Sequence, residues 1–393
     1  MNQSLTKLAN LSQKEHRTIL GLMSGTSLDG LDIALCKISG FGLGCKVEVE
    51  QFETLAYSDE FKQDLRSVFA KKQVDLEKLT LLNASIGSLH AELINQFIEQ
   101  YSINPEEIDC IASHGQTIYH APKRLHGMDN YPNATLQIGD ADHIAVKTGI
   151  AVLSDFRQKH VAAGGEGAPL ALYGDCILFS SEVENRVLLN IGGISNFTYL
   201  PKEGNDQKII CTDAGPGNTM IDALCKKYFN VGYDKNGDMG RQGKLNKALL
   251  AKMLEHPFFK EDLPKSTGPE LFNLQFIENA LQDLTGDITT EDLVHTATML
   301  TAKAIVLGIK KATEDADYNL FVSGGGAHNS FLIDTISSLL PRIKISQMEE
   351  LGVSADAKEA VLFSILANET LCGSAINTGA GPQIMMGKIS LPD

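Results

Sequence analysis

The most constraining feature of this 393-residue sequence is a rough internal repeat. Short strand candidates at residues 18–23, 31–38 and 47–57 are joined by tight turns, and a second set follows at 186–191, 197–200 and 208–212. This spacing predicts two antiparallel meanders. Each meander continues into alternating strand and helix patterns, which are typical of α/β folds. The sequence therefore predicts two related halves, each with a glycine-containing turn between its first two strands, and the two turns facing each other across a cleft.

Glycine-rich loops follow four of the strand candidates. Glycine lets a ligand approach the backbone, and successive N–H groups can form an anion-binding nest without any lysine or arginine. One such loop is commonly structural, but four of them in two matched halves predict a cradle for nucleotide phosphates. The loops are Ser24-Gly25-Thr26-Ser27-Leu28-Asp29-Gly30, Asn190-Ile191-Gly192-Gly193-Ile194-Ser195-Asn196, Asp213-Ala214-Gly215-Pro216-Gly217-Asn218 and Ser323-Gly324-Gly325-Gly326-Ala327.

The charge balance limits the class of partner. The chain has 34 Lys and Arg against 49 Asp and Glu, which gives a formal net charge of −15. Binding to nucleic acid or to an anionic membrane needs a basic surface, so we expect neither partner. Hydrophobic residues make up 43% and charged residues 21%, as in ordinary globular proteins. An anionic ligand must therefore be held by local donors.

Several other classes of protein are excluded by missing motifs. The polar residues 1–17 contain no apolar segment, so we expect no signal peptide. The seven cysteines are scattered without a C-x-x-C pair, which favours a reducing cytoplasm over a disulfide or zinc framework. The sequence contains neither the P-loop nor the Rossmann fingerprint, and no G-x-S-x-G elbow. A nucleotide site would therefore be of another type.

Carboxylates provide candidates for acid and base chemistry. Asp155 follows the apolar run 150–153, so it would lie at the carboxyl end of a strand, where α/β folds place their sites. A helix cap or turn is an equally good reading of an aspartate at such a position. His114 and Gln116 follow a buried-strand candidate in a polar loop that suits a hydroxyl-rich ligand. Glu359 lies within a predicted helix, where taken alone it indicates a solvated face.

At these motifs the sequence resembles the anhydro-N-acetylmuramic acid kinases, a family of the actin and hexokinase superfamily. The matching segments run in a consistent order from residue 21 to beyond residue 360, and their specificity lies in their combination. Besides the glycine loops, they are Ser113-His114-Gly115-Gln116-Thr117, Ser154-Asp155-Phe156-Arg157, Ala163-Gly164-Gly165-Glu166-Gly167-Ala168-Pro169-Leu170 and Lys265-Ser266-Thr267-Gly268.

The resemblance implies a fold. It is an α/β fold of the duplicated ribonuclease-H-like (actin-like ATPase) type, with two domains around a nucleotide cleft. We predict an N-terminal domain of residues 1–148, completed by a C-terminal segment of about 370–393, and a C-terminal domain of residues 149–369.

The resemblance also implies a reaction. Such an enzyme uses ATP, Mg²⁺ and water to hydrolyse the 1,6-anhydro bridge of anhydro-N-acetylmuramic acid and to phosphorylate the freed O6, in peptidoglycan recycling and amino-sugar degradation. We expect a cytoplasmic homodimer whose partners are a small amino sugar and ATP. Two alternatives are a kinase for another anhydro sugar, such as levoglucosan, and an actin-like nucleotide switch that binds proteins.

Site residues follow from the matched motifs. Asp155 matches the family's catalytic base and Glu359 a second carboxylate that contacts the sugar. We predict substrate contacts at His114, Gln116, Arg157 and Asp213. The Mg²⁺ ligands stay open, and because Pro269 stands where an arginine is expected, the preceding loop is assigned no substrate contact. The predicted nucleotide-binding residues are Gly25, Thr26, Ser27, Leu28, Asp29, Gly30, Leu31, Asp32, Asn190, Gly192, Gly193, Gly324, Gly325 and Gly326.

Overall fold

The computed structural model describes residues 3–25, 27–205, 207–282, 284–354, 356–375, 378 and 381–393. Thr26, which belongs to the predicted first phosphate loop, lies outside the described residues. The chain divides into two compact units. Unit 1 comprises Met1–Leu178 and Asp356–Asp393, and unit 2 comprises Phe179–Ala355.

The strands of the described residues form one sheet in each unit. They are β1 (His16–Ser24), β2 (Gly30–Ser39), β3 (Lys46–Ala56), β4 (Cys110–Ala121), β5 (Ala134–Ile138), β6 (Val152–Ser154), β7 (Arg186–Ile191), β8 (Ile194–Leu200), β9 (Ile210–Pro216), β10 (Asn319–Ser323), β11 (Ile345–Gln347) and β12 (Lys388–Ser390).

The helices of the described residues lie between these strands. They are α1 (Gln3–Leu11), α2 (Asp59–Val68), α3 (Leu76–Gln100), α4 (Lys123–His126), α5 (Ala141–Thr148), α6 (Phe156–Ala162), α7 (Ala171–Phe179), α8 (Thr219–Phe229), α9 (Asp238–Gln242), α10 (Lys247–Leu254), α11 (Leu274–Leu281), α12 (Thr290–Thr313), α13 (Ser330–Leu339) and α14 (Lys358–Cys372). Short 3₁₀ turns lie at Gly42–Gly44, Pro105–Glu107, Lys235–Gly237, Pro257–Lys260, Gly325–His328 and Met348–Leu351.

Both sheets are built on the same plan. In unit 1, β1, β2 and β3 form an antiparallel meander, and β4 and then β6 add parallel strands beside β1. In unit 2, β7, β8 and β9 form the meander, and β10 and then β11 add parallel strands beside β7. The shared strand order is therefore β3-β2-β1-β4-β6 in unit 1 and β9-β8-β7-β10-β11 in unit 2. Unit 1 adds β5 against β4 and β12 against β6. The predicted duplicated ribonuclease-H-like fold is confirmed.

The core of unit 1 includes a helix from the C-terminal part of the chain. Helix α14 packs on β1, and a Cβ atom on Gly21 would lie only 2.0 Å from the carbonyl oxygen of Ala360. Such a close approach requires glycine in the strand. Residues 360–369 of α14 are all buried. The first strand and the last helix of the described chain are thus parts of one core.

Unit 2 is organised around α12, which packs on β8 and β9. This helix is long and apolar enough to cross a membrane, with a mean hydropathy of 1.3 over 18 residues, but 72% of that window is buried within the protein. Core helices commonly meet the same length and hydropathy criteria. We therefore describe α12 as the central helix of unit 2.

The two compact units and the predicted domains differ in extent. Residues 149–178 and 356–369, which the sequence analysis assigns to the C-terminal domain, belong to unit 1. The reason is local: β6 pairs with β4, and α14 packs on β1. The domain division at residues 148 and 369 stays a prediction.

Two predicted loops are parts of strands. His114 and Gln116 lie within β4, which continues to Ala121 because β5 pairs antiparallel with its second half. Gly115 lies between them with a φ of 73°, a left-handed conformation that glycine adopts without strain. Asp213 likewise lies within β9, which stays paired with β8 up to Pro216. The loop assignments were wrong because cross-strand pairing, absent from a local pattern, extends both strands.

Candidate active-site regions

The turn after β1 contains the predicted first phosphate loop. Gly25 and Ser27 are partly or fully exposed, whereas the side chains of Leu28 and Leu31 are buried in the core of unit 1. Leu28 has a φ of 61°, and its N–H donates to the carbonyl of Gly25 at 3.3 Å. The two leucines therefore have only backbone groups to offer a ligand.

Asp32 lies on β2 just beyond this turn. Its carboxylate accepts a hydrogen bond from the Thr54 hydroxyl at 2.6 Å. Burial raises the pKa of the Asp32 carboxyl, and the neighbouring carboxylates of Asp356 and Asp29 raise it further. A bound cation would relieve this repulsion.

Behind the turn lies a row of buried polar side chains. The Ser24 hydroxyl lies 2.5 Å from Gln116 Oε1 and 2.8 Å from the Tyr57 hydroxyl, which lies 2.9 Å from His90 Nε2. All four side chains are at most 4% exposed. Gln116, predicted to contact substrate, thus uses its amide within the protein, and its substrate contact stays a prediction.

His114, Arg157 and Glu359 form a second polar group in unit 1. Arg157 Nε donates to His114 Nε2 at 2.9 Å, and Arg157 Nη1 donates to the carbonyl of Gly167 at 3.0 Å. Burial and the Arg157 charge lower the pKa of His114 to about 3, so its ring is neutral with the proton on Nδ1. Among the described residues this buried N–H has no hydrogen-bond partner of normal geometry, although the Gly115 backbone raises the pKa of the ring.

Glu359 lies in the first turn of α14, beside this group. Its side chain reaches solvent, yet the surrounding protein raises the pKa of its carboxyl, and the charge of Arg157 opposes that rise. The contact of Glu359 with the sugar stays a prediction. Its side chain offers a carboxylate beside an arginine and a neutral histidine, an arrangement that can bind sugar hydroxyl groups.

Asp155 is placed directly after β6, as its sequence pattern predicts. Its backbone is left-handed, with a φ of 55°, and it precedes α6 without capping that helix through its side chain. Its carboxylate forms an ion pair with Lys388, the first residue of β12. The carboxylate therefore has a cationic partner within unit 1, at a position that solvent reaches.

In unit 2, the turn between β7 and β8 is held by backbone hydrogen bonds. The N–H groups of Gly217 and Thr219 donate to the carbonyl of Gly193 at 2.9 and 3.1 Å, and that of Asn218 donates to Gly192 at 2.8 Å. A Cβ atom on Gly217 would lie 2.3 Å from the Gly192 carbonyl oxygen. The start of α8 therefore fixes this turn by close backbone contact.

The predicted adenosine loop lies beside the same turn. Gly324 has a φ of 81°, and a Cβ atom there would lie 2.6 Å from Asn190 Oδ1. A Cβ atom on Gly326 would lie 2.3 Å from the Ile191 side chain, whereas Gly325 has open space around it. The structure thus brings together the two glycine loops of this unit that the sequence analysis assigns to the nucleotide.

Asp213 lies across the sheet from Asn190. The register pairs Asn190 with Asn196 and Asn196 with Asp213, so these side chains share one face. The N–H of Thr267 donates to Asp213 Oδ2 at 2.7 Å. Burial raises the pKa of the Asp213 carboxyl, the Thr267 hydrogen bond lowers it, and Glu270 raises it. Among the described residues no cation pairs with this carboxylate.

The segment 265–268, one of the matched motifs, holds Asp213 in place. The N–H of Asp213 donates to the Lys265 carbonyl at 3.0 Å, and the N–H of Lys265 donates to the Thr212 hydroxyl at 2.9 Å. The hydroxyl of Thr267 is buried and has no partner among the described residues. These contacts give the segment a structural role beside Asp213.

Known proteins resemble this chain over nearly its whole length. The family model described as anhydro-N-acetylmuramic acid kinase matches residues 17–391. Proteins of that name from Pseudoalteromonas atlantica and Caldanaerobacter subterraneus are 49% and 41% identical, covering 100% and 98% of this chain and 100% of each relative. A remote structural likeness, with a TM-score of 0.40 and 13% identity over 88% of this chain and 94% of the other, is to the activator of the 2-hydroxyisocaproyl-CoA dehydratase from Clostridium difficile.

Proposed function

Because the chain belongs to the anhydro-N-acetylmuramic acid kinase family, we infer that it is an ATP-dependent kinase of 1,6-anhydro-N-acetylmuramic acid. The product is N-acetylmuramic acid 6-phosphate, formed in cell-wall recycling and amino-sugar degradation. A water oxygen bonds to C1 and the C1–O6 bond breaks with its electrons on O6. O6 then bonds to the γ-phosphorus of ATP, the bond from that phosphorus to the bridging oxygen breaks, and ADP leaves with its electrons. Neither the levoglucosan kinase nor the protein-binding switch is favoured by the relatives, which all share the one name.

The attacking water must lose a proton to a base. A general base must be ionised and within hydrogen-bond reach of the proton that it takes. The resemblance implies Asp155, which lies directly after β6 and whose carboxylate caps no helix and pairs with Lys388. We therefore propose Asp155 as the base, and its position at the carboxyl end of β6 is the observation that supports this assignment. Asp213, whose Oδ2 already accepts from the Thr267 amide, is the alternative.

We propose that the sugar contacts of unit 1 come from His114, Arg157 and Glu359. The neutral His114 ring accepts from Arg157, and Glu359 offers a solvent-reaching acceptor beside that arginine. Arg157 orients His114 and retains its charge for an anionic group. This trio recognises hydroxyl groups by hydrogen bonds, which is the chemistry that discriminates sugars.

We propose that nucleotide phosphates and adenosine are bound through backbone groups. Gly193 and Gly325 are exposed, and a Cβ atom at Gly325 would have no neighbour closer than Asn218 Nδ2 at 3.8 Å. Backbone N–H groups at such positions can donate to phosphate oxygens without any added positive charge. This explains how a chain of net charge −15 uses ATP.

Mg²⁺ is the proposed companion of ATP. Among the described residues, no three or more His, Cys, Asp or Glu side chains cluster as a metal site. That fits Mg²⁺, which is commonly held by one or two carboxylates, waters and the substrate's own phosphates. Asp32, crowded by Asp29 and Asp356, is the carboxylate whose surroundings suit a cation. The ion would neutralise charge developing on the transferred phosphoryl group.

Asp213→Asn and Asp155→Asn test the assignment of the base. We expect Asp155→Asn to lower kcat by about a thousandfold, because a positioned base contributes roughly 10²–10⁴-fold, and Asp213→Asn to lower it less. ATP affinity, measured by calorimetry, should be unchanged in Asp155→Asn. The reverse ranking of the two kcat values would give the role to Asp213.

Isotope labelling tests the reaction itself. In ¹⁸O-labelled water, the label should enter the product at C1 during ATP-dependent turnover. Turnover of the anhydro sugar without label at C1 would rule out hydrolysis of the bridge. The expected homodimer and cytoplasmic location remain proposals, and light scattering of the purified chain tests the first of them.

A further inference from the structure

Buried side chains link the first phosphate loop to a helix behind it. His90 on α3, Tyr57 after β3, Ser24 at the end of β1 and Gln116 on β4 form a continuous row of hydrogen bonds. A buried row of this kind must satisfy every donor, since an unpaired buried group costs free energy. Its donor directions can therefore be worked out.

The directions begin at Gln116. Its Nε2 lies 3.3 Å from the carbonyl oxygens of Gly25 and Thr117, and both can only accept. Its Oε1 must then face Ser24 and accept the Ser24 hydroxyl proton at 2.5 Å. Because the Ser24 hydroxyl donates its only proton to Gln116, its oxygen must accept from the Tyr57 hydroxyl.

The same reasoning reaches His90. Because the Tyr57 proton goes to Ser24, the Tyr57 oxygen accepts from His90 Nε2–H. The ring is then neutral with a bare Nδ1, which is buried and has no partner among the described residues. Burial lowers the pKa of His90 to about 4, which is consistent with a neutral ring. The opposite tautomer would strand an N–H donor in the core.

Tyr57 also holds the far end of the loop. Its backbone N–H donates to the carbonyl of Asp29 at 3.0 Å, while its hydroxyl reaches Ser24. We propose that Tyr57, oriented by His90, is a positioning residue that fixes Ser24 and the Gly25 peptide in the conformation that binds ATP. This inference rests on the proposed function of residues 25–32 as a phosphate loop.

Tyr57→Phe tests the proposal with little change in shape. The variant removes the donor to Ser24, and we expect the KM for ATP and the dissociation constant of ATP without sugar to rise about tenfold. The KM for the sugar should change less than twofold. Tyr318→Phe is the matched control, since Tyr318 is a buried tyrosine whose hydroxyl has no hydrogen-bond partner among the described residues. Unchanged ATP binding in Tyr57→Phe, or an equal loss in the control, would overturn the proposal.

A double variant separates positioning from stability. Tyr57→Phe leaves the His90 N–H without an acceptor and should lower Tm. Adding His90→Phe removes that unpaired donor. We expect the double variant to regain most of the lost Tm but none of the ATP affinity, because Ser24 still lacks its donor. Recovery of both would mean that Tyr57 acts only on stability, and the proposal would fail.

Nitrogen-15 NMR of the His90 ring in the wild-type protein shows which ring nitrogen carries the proton. We expect a protonated Nε2 and a bare Nδ1 for His90 at pH 7, and the opposite tautomer would overturn the proposal. Both this readout and ATP binding are measured without sugar. A wild-type chain that binds ATP but does not phosphorylate the anhydro sugar would therefore refute the proposed function while leaving this inference to its own tests.

Discussion

The two units stabilise the turn after their first strand in different ways. In unit 1 the turn between Ser24 and Gly30 is held from behind by the side chains of Tyr57, His90 and Gln116. In unit 2 the turn between Ile191 and Ile194 is held by backbone hydrogen bonds from residues 217–219. One strand order thus supports two kinds of phosphate-loop candidate: side-chain hydrogen bonds predominate behind the unit 1 turn and backbone hydrogen bonds at the unit 2 turn, where the Asn218 side chain adds one bond to the Ile191 carbonyl at 3.4 Å.

The two hairpins also differ in the residue types of the cross-strand pair that lies next to each turn. The penultimate pair of the unit 1 hairpin is Met23 with Asp32, and that of the unit 2 hairpin is Asn190 with Asn196. Unit 2 extends its pair to Asp213 on the third strand, a carboxylate that is predicted to contact substrate. The duplicated strand arrangement therefore determines the positions at which polar side chains lie beside the turn, and the residue types at those positions determine the chemistry that each unit offers.

The largest expected effect comes from breaking the backbone-held turn. In Gly217→Ala the new Cβ would lie 2.3 Å from the Gly192 carbonyl oxygen and 3.0 Å from that of Gly193, so the backbone must move. We expect a loss of about 3 kcal/mol in the free energy of unfolding, since overpacking costs about 1–3 kcal/mol and occasionally more, together with a loss of ATP affinity. Urea denaturation and calorimetry measure the two.

Matched glycines in both units serve as controls for this prediction. A Cβ atom on Gly25 would meet only Ser27 Oγ at 3.7 Å, and one on Gly325 only Asn218 Nδ2 at 3.8 Å. Gly25→Ala and Gly325→Ala should each change the free energy of unfolding by less than about 1 kcal/mol. A cost for Gly25→Ala equal to that of Gly217→Ala would contradict the contrast between the two turns.

This contrast shows which parts of the molecule the sequence can predict. The paired meanders and the glycine loops follow from local periodicity and turn residues, so the duplicated fold could be predicted. The contact of Tyr57 with His90 could not, because the two residues are 33 positions apart and no local pattern links them. The position of Asp213 within β9 was missed because pairing with β8 overrides the loop signal of the following glycine.

A smaller effect is expected from acid, and it concerns the side-chain-held turn. The folded-state pKa of His90 is lowered to about 4 from an ordinary value of 6.5, so its contribution to stability is present above pH 6.5 and is lost as the pH falls toward 4. From pH 7 to pH 5 this single group should remove about 2 kcal/mol from the free energy of unfolding.

Comparison with His90→Phe isolates that contribution from carboxyl groups with a raised pKa, such as Asp32, Asp213 and Glu359, which act with the opposite sign. The loss of stability between pH 7 and pH 5 should be smaller in His90→Phe than in the wild type by about 2 kcal/mol. Urea denaturation at the two pH values gives the difference. Parallel pH dependence in the two proteins would show that His90 is protonated to the same extent folded and unfolded.

The smallest effect is expected at a buried hydroxyl near the backbone-held turn. Ser195 is fully buried, and its hydroxyl donates between the carbonyl oxygens of Gly215 and Pro216, at 3.1 and 3.0 Å. Ser195→Ala removes one neutral hydrogen bond, so we expect a loss of about 1 kcal/mol in the free energy of unfolding. ATP affinity should change less than twofold, because the bonds from residues 217–219 hold the turn without this side chain. A tenfold loss of ATP affinity, as expected for Tyr57→Phe, would show that side chains hold both turns.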